Sequence, residues 1–179
     1  MRHRSLQPLV VSAVMAALAL VFPVAFHLTG LGSRFLPMFL PLLLNGFLVP
    51  ASWAMLTGSV TPFLSSLLTG MPPLYPPVAV TMAIEGATLG GVAALIYRGR
   101  PQRLWPALVT AVVFGRLSGL ASTYVLADWF ELPAGFATAA VLVRGLPGVA
   151  LQMAAVPLLV RTLERRQSIL FSRGLQPQA

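Results

Sequence analysis

Residues 78–97 read VAVTMAIEGATLGGVAALIY, an apolar run from Val78 to Tyr97 interrupted by one carboxylate, Glu85. About 20 largely apolar residues in a helix span a bilayer core of roughly 30 Å. The run follows a stiff loop, Gly70-Met71-Pro72-Pro73-Leu74-Tyr75-Pro76-Pro77, and leads into Arg98, Arg100 and Arg103. Working outward, the runs Leu9–Leu28, Phe35–Val49, Ala51–Thr69, Trp105–Leu126 and Ala134–Val160 have the same character. The expected fold is all-α: a single membrane domain of six transmembrane helices, with a basic cytoplasmic tail over residues 161–179. The second run is short and stops at Pro50, so helices two and three are expected to form a tight re-entering pair. Pro37 and Pro41 lack a backbone N–H and should distort its start.

Composition points the same way. Of 179 residues, 57% are hydrophobic and 9% charged, and the mean hydropathy is +0.84. A soluble domain carries roughly 25% charged residues. The formal charge is +8, and all 12 basic residues are Arg. A pI near 11.7 would suit a nucleic-acid binder, but these arginines lie in the short segments between apolar runs, as membrane orientation requires. The absence of Cys excludes disulfides, thiol catalysis and Cys-ligated metals. Arg2, His3 and Arg4 ahead of an apolar stretch resemble a signal peptide. However, the small-x-small tripeptide Ala17-Leu18-Ala19 lies inside the run and no polar domain follows, so cleavage is not expected.

Charge also orients the chain. Arg2 and Arg4 precede the first run, Arg98, Arg100 and Arg103 separate the fourth from the fifth, and Arg161, Arg165, Arg166 and Arg173 follow the sixth. Alternate threading puts these on one side, opposite Arg34, Asp128 and Glu131. Positive charge marks the cytoplasm, so both termini are expected inside.

Glu85, Arg116 and Arg144 fall within spans, where a charge costs about 2.5–3.5 kcal/mol and usually has a partner or a function. Counted from the span ends, all three lie roughly 10–15 Å below the outer surface, and Asn45 falls at a similar depth. This layer has two readings. A Glu–Arg pair could simply lock helices together. Alternatively, the layer lines an outward-facing pocket for a small acidic or amide-rich molecule. One carboxylate against two guanidinium groups favours an anionic ligand group, which Arg can hold bidentately, unless the spare Arg snorkels to the surface. Asn45, Glu85, Arg116 and Arg144 are the expected ligand residues, with Gln152 deeper.

The third run carries Thr57, Ser59, Thr61, Ser65, Ser66 and Thr69, and Thr61-Pro62 could bend it and free a carbonyl for a ligand. The Pro-rich loop after it is either a lid or a rigid connector. Ala13-x-x-x-Ala17 puts two small residues on one face of the first helix, where a partner helix could approach closely; internal packing is the plainer reading. His27 is a further ligand candidate or an interface residue. There is no Walker-type glycine loop, His3 and His27 are too far apart for a helical metal pair, and Glu85 has no second acid or His beside it within the spans. Neither a metal site nor catalysis is expected.

Three segments resemble the substrate-binding S-components of energy-coupling factor (ECF) vitamin transporters. The first is Ser12-Ala13-Val14-Met15-Ala16-Ala17-Leu18. The second is Pro41-Leu42-Leu43-Leu44-Asn45-Gly46-Phe47, running on to the stretch from Thr61-Pro62-Phe63 to Met71-Pro72-Pro73-Leu74. The third is Arg144-Gly145-Leu146-Pro147-Gly148-Val149-Ala150-Leu151-Gln152, with Pro157 after it. The chain departs from many relatives at Asn45-Gly46 and at Val49-Pro50-Ala51. The resemblance implies a multi-pass protein of a prokaryotic plasma membrane that captures a micronutrient from outside and binds no cofactor itself. It implies partnership with a membrane T-component and two cytoplasmic ATPases that hydrolyse ATP, and Ala13 and Ala17 at the T-component interface. The positive charge favours a carboxylate-bearing vitamin such as pantothenate. The competing expectations are a small membrane scaffold of the cell envelope and an intramembrane enzyme using Glu85.

Overall fold

A computed structural model describes residues 3–28, 37–132 and 139–174, with side chains at 6–24, 37–132 and 145–165. Six α-helices are present among these residues: α1 His3–Leu28, α2 Phe39–Leu48, α3 Ala51–Thr69, α4 Val78–Tyr97, α5 Leu104–Trp129 and α6 Ala139–Gly174. The expected starts of the second and sixth spans, at Phe35 and Ala134, lie outside the described residues, as does Arg34. The side chains of His27 and Arg144 also lie outside them.

The helix ends follow from local chemistry. Val49, in extended conformation, closes α2 by donating its N–H to the Asn45 carbonyl at 3.0 Å. Pro50 then precedes α3, where its missing N–H is no loss, and its carbonyl accepts from Trp53 and Ala54. Gly70 ends α3 with φ +73°, a left-handed position suited to glycine. Its N–H donates to the Ser66 carbonyl at 2.9 Å.

Among the described residues, four segments have both the length and the apolarity to cross a membrane: Leu6–Val24, Val78–Tyr97, Pro101–Trp129 and Gly145–Arg165. The other two helices differ. Helix α2 has 10 residues, or about 15 Å at 1.5 Å per residue, half the thickness of a bilayer core. Helix α3 has 19 residues and sufficient reach, but it is rich in hydroxyls. These close on nearby backbone carbonyls: Thr57 on Trp53, Ser59 on Leu56, Thr61 on Thr57, and Thr69 on Ser65. Such bonds let a polar helix sit in an apolar medium.

The bundle is built around α4, which packs against α2, α3 and α5; α6 packs against α5 and α2, and α1 against α2 and α3. Over half of the α4 span is buried inside the protein, 56%, against 17% for α1. Lipid tails are as apolar as Leu, so close packing of small residues, rather than hydrophobic burial, holds such helices together. A Cβ on Gly46 would come within 2.4 Å of the Gly90 carbonyl oxygen, and one on Gly58 within 2.4 Å of the Gly86 carbonyl. The backbones of α2 and α3 therefore touch that of α4 directly.

This contact also settles what happens at Pro62. The proline cannot donate to the carbonyl four residues back, which belongs to Gly58. That oxygen lies where a Cβ on Gly86 would meet it at 2.8 Å. The freed carbonyl is thus covered by α4, not offered to a ligand as the sequence suggested.

Gly58→Ala should introduce overpacking worth about 1–3 kcal/mol. The apparent unfolding midpoint in detergent should then fall by several degrees; an unchanged midpoint would mean that α3 and α4 do not touch.

Candidate functional site

Glu85 is in the middle of α4, and it reaches α5 because Gly119 has no side chain. A Cβ there would stand 2.7 Å from Glu85 Oε2. The Glu85 carboxylate accepts from Arg116 Nη1 of α5 in a salt bridge between largely buried side chains. The Arg116 guanidinium also lies over the Phe39 ring of α2, 5.3 Å from its centroid, close enough for a cation–π attraction. Three helices thus meet on one cation. Of the two membrane arginines, Arg116 is charge-balanced by the protein itself.

Asn45 and Gln152 are deeply buried, at 0% and 1% exposure. Asn45 Nδ2 donates to Ser12 Oγ of α1 at 3.4 Å, while its Oδ1 has no hydrogen-bond partner. Gln152, on α6, has no partner on either Oε1 or Nε2, and Arg116 has none on Nε or Nη2. Among the described residues, these are the buried side-chain polar atoms left without a hydrogen bond. A buried group without its partner costs about 1–3 kcal/mol, so their convergence on three expected ligand residues needs an explanation.

Packing register refines the expected layer. Gly46 stands beside Gly90, and Leu42 beside Gly86. Glu85 is therefore level with Pro41, and Asn45 with Leu89, about one turn or 6 Å farther from the Pro-rich loop. Near the other end of α4, the Tyr97 hydroxyl donates to Glu164 of α6. Arg116 and Glu85 thus share a level, with Asn45 and its partner Ser12 one turn deeper. The sequence placed Asn45 in the same layer as Glu85; span ends are a poor ruler when α2 is half a span long.

The hydroxyls of α3 serve the fold. Ser65 Oγ donates to the Met71 carbonyl at 2.7 Å and Ser66 Oγ to that of Pro72 at 2.6 Å, clipping the Pro-rich loop to α3. Tyr75 of this loop meets Phe130, just past α5, edge to face at 6.2 Å. Ala13 and Ala17 are both exposed along α1. The roles of Phe39 and Gly119 went unnoticed in the sequence. A glycine three residues after an intramembrane arginine was the available signal for the second; the first had none.

The family model of the ECF transporter substrate-specific component matches residues 7–160. The chain belongs to this family. No curated protein and no solved structure matches it. As an S-component it is a multi-pass membrane protein and a non-enzymatic binding subunit of a transporter, which sets aside the scaffold and intramembrane-enzyme readings. In this S-component the buried Glu85–Arg116 pair ties α4 to α5.

Arg116→Met should strand the Glu85 carboxylate and cost about 3–5 kcal/mol of stability. Adding Glu85→Leu should recover a substantial part of that loss. Strictly additive effects in the double-mutant cycle would show that the pair does not interact.

Proposed function

We propose that this S-component captures a vitamin-like small molecule from outside, in the half of the bundle where α2, α4, α5 and α6 converge. The observation that carries this reading is the set of buried, partnerless atoms on Asn45, Gln152 and Arg116. They call for a ligand offering both acceptors and donors. The guanidinium N–H groups of Arg116 need acceptors, Asn45 Oδ1 needs a donor, and Gln152 can serve either. Glu85 contributes by fixing Arg116 and balancing its charge.

Arg144, on α6, is the remaining cation of the spans and the residue assigned to a ligand carboxylate. Pantothenate, which carries a carboxylate, an amide and hydroxyls, is the favoured class of substrate. In this reading both termini are cytoplasmic, with the basic segment 161–179 inside, because nine of the 12 arginines then lie on the cytoplasmic side. A T-component and two ATPases provide the energy, with Ala13 and Ala17 facing the T-component.

The direct test is mass spectrometry of the small molecule that co-purifies, followed by titration of that molecule. Asn45→Leu and Gln152→Leu should each weaken binding about 10- to 100-fold, from the loss of about 1–3 kcal/mol. Unchanged affinity in both variants would remove these residues from the site.

Ala13→Trp tests the interface separately. Because Ala13 is exposed on α1, the bulky ring should leave ligand binding intact while abolishing ATP-driven uptake. Loss of binding as well would sink the interface assignment.

A further inference from the structure

A cavity lies at the arginine-rich end of the bundle. It has a volume of about 450 Å³ and opens between the α2–α3 turn and the end of α4. That volume falls within the range of roughly 300–1,000 Å³ typical of small-ligand sites. Its walls include Phe47, Val49, Ala94, Leu95 and Tyr97. Phe47 and Tyr97 pack edge to face at 5.0 Å, giving one wall a fixed aromatic surface. Leu95 is 54% exposed, so the cavity continues onto the lipid-facing side of α4.

Charge at this end has one sign along the rim. Arg98 is the one charged residue among those lining the cavity, and its Nε donates to the Leu95 carbonyl at 2.8 Å. That bond, made through Nε alone, folds the exposed side chain back over the end of α4. Arg100 and Arg103, both exposed, follow within the next turn. The acid at this end, Glu164, accepts from Tyr97.

An apolar recess open to the bilayer, lined by Arg98 and followed in the chain by two more exposed arginines, matches the two halves of an anionic phospholipid. We infer that this cavity binds an anionic phospholipid of the facing leaflet, its phosphate on Arg98 and the neighbouring arginines and an acyl chain against Phe47, Ala94 and Leu95. Basic pockets between transmembrane helices recognise such headgroups, and Arg offers phosphate a planar, bidentate fork. A soluble anion would satisfy the rim but leave the apolar walls uncovered. The inference does not depend on which substrate the transporter carries.

The experiment is native mass spectrometry of the full chain released from vesicles of equal parts phosphatidylglycerol and phosphatidylcholine. Phosphatidylglycerol should be retained at least 10-fold over phosphatidylcholine. Arg98→Gln combined with Arg100→Gln and Arg103→Gln should abolish that preference. Ala94→Leu, which narrows the recess, should reduce retention even with the arginines intact. Equal retention of the two lipids by the unaltered protein, or of neither, overturns the inference. So does an undiminished preference in the triple arginine variant. Displacement of the lipid by millimolar inorganic phosphate alone would also overturn it, because the acyl chain would then contribute nothing.

Discussion

The backbones of α2, α3 and α4 touch where Gly46 meets Gly90 and Gly58 meets Gly86, and the remaining arrangement hangs on that approach. With no hydrophobic force between helices in lipid, these contacts provide dispersion attraction at the shortest possible range. They anchor α2, which is too short to span a bilayer alone, to α4, the most buried of the candidate spans. They also set the register, and register decides which polar side chains share a level.

From this frame follow two different uses of polarity. The hydroxyls of α3 are consumed by nearby backbone carbonyls and by the Pro-rich loop, and the carbonyl released by Pro62 is covered by α4. These groups make a polar helix compatible with lipid. Asn45, Gln152 and part of Arg116 are left unsatisfied, whereas the other buried side-chain polar atoms among the described residues are paired. Unsatisfied atoms deep in a bundle are costly for stability, and in the function proposed above a bound ligand would relieve that cost. Glu85 belongs to both groups, since it neutralises Arg116 while leaving two of the guanidinium nitrogens unbonded.

The two ends of the bundle also differ in construction. At the loop end, Ser65, Ser66 and the Tyr75–Phe130 contact fasten the connections to the helices. At the other end, the Tyr97–Glu164 hydrogen bond ties α4 to α6, beside an apolar recess rimmed with arginine. In the proposed reading, substrate capture belongs to one half and lipid contact to the opposite end.

Much of this was legible in the sequence. The bilayer imposes a length and an apolarity on every crossing helix, so the helices could be read from local composition, as with Val78–Tyr97. Pro50 and Gly70 marked helix ends because their chemistry acts within one turn. The intramembrane charges, Glu85 and Arg116, stood out because each is expensive alone. What the sequence could not carry was the pairing of elements: that Gly119 makes room for Glu85, that Phe39 lies under Arg116, that Asn45 is a turn away from Glu85. Helix formation depends on neighbours three and four residues away, whereas these juxtapositions depend on how far one helix slides along another. The glycine contacts that stop the slide lie between helices, so only the tertiary structure decided them.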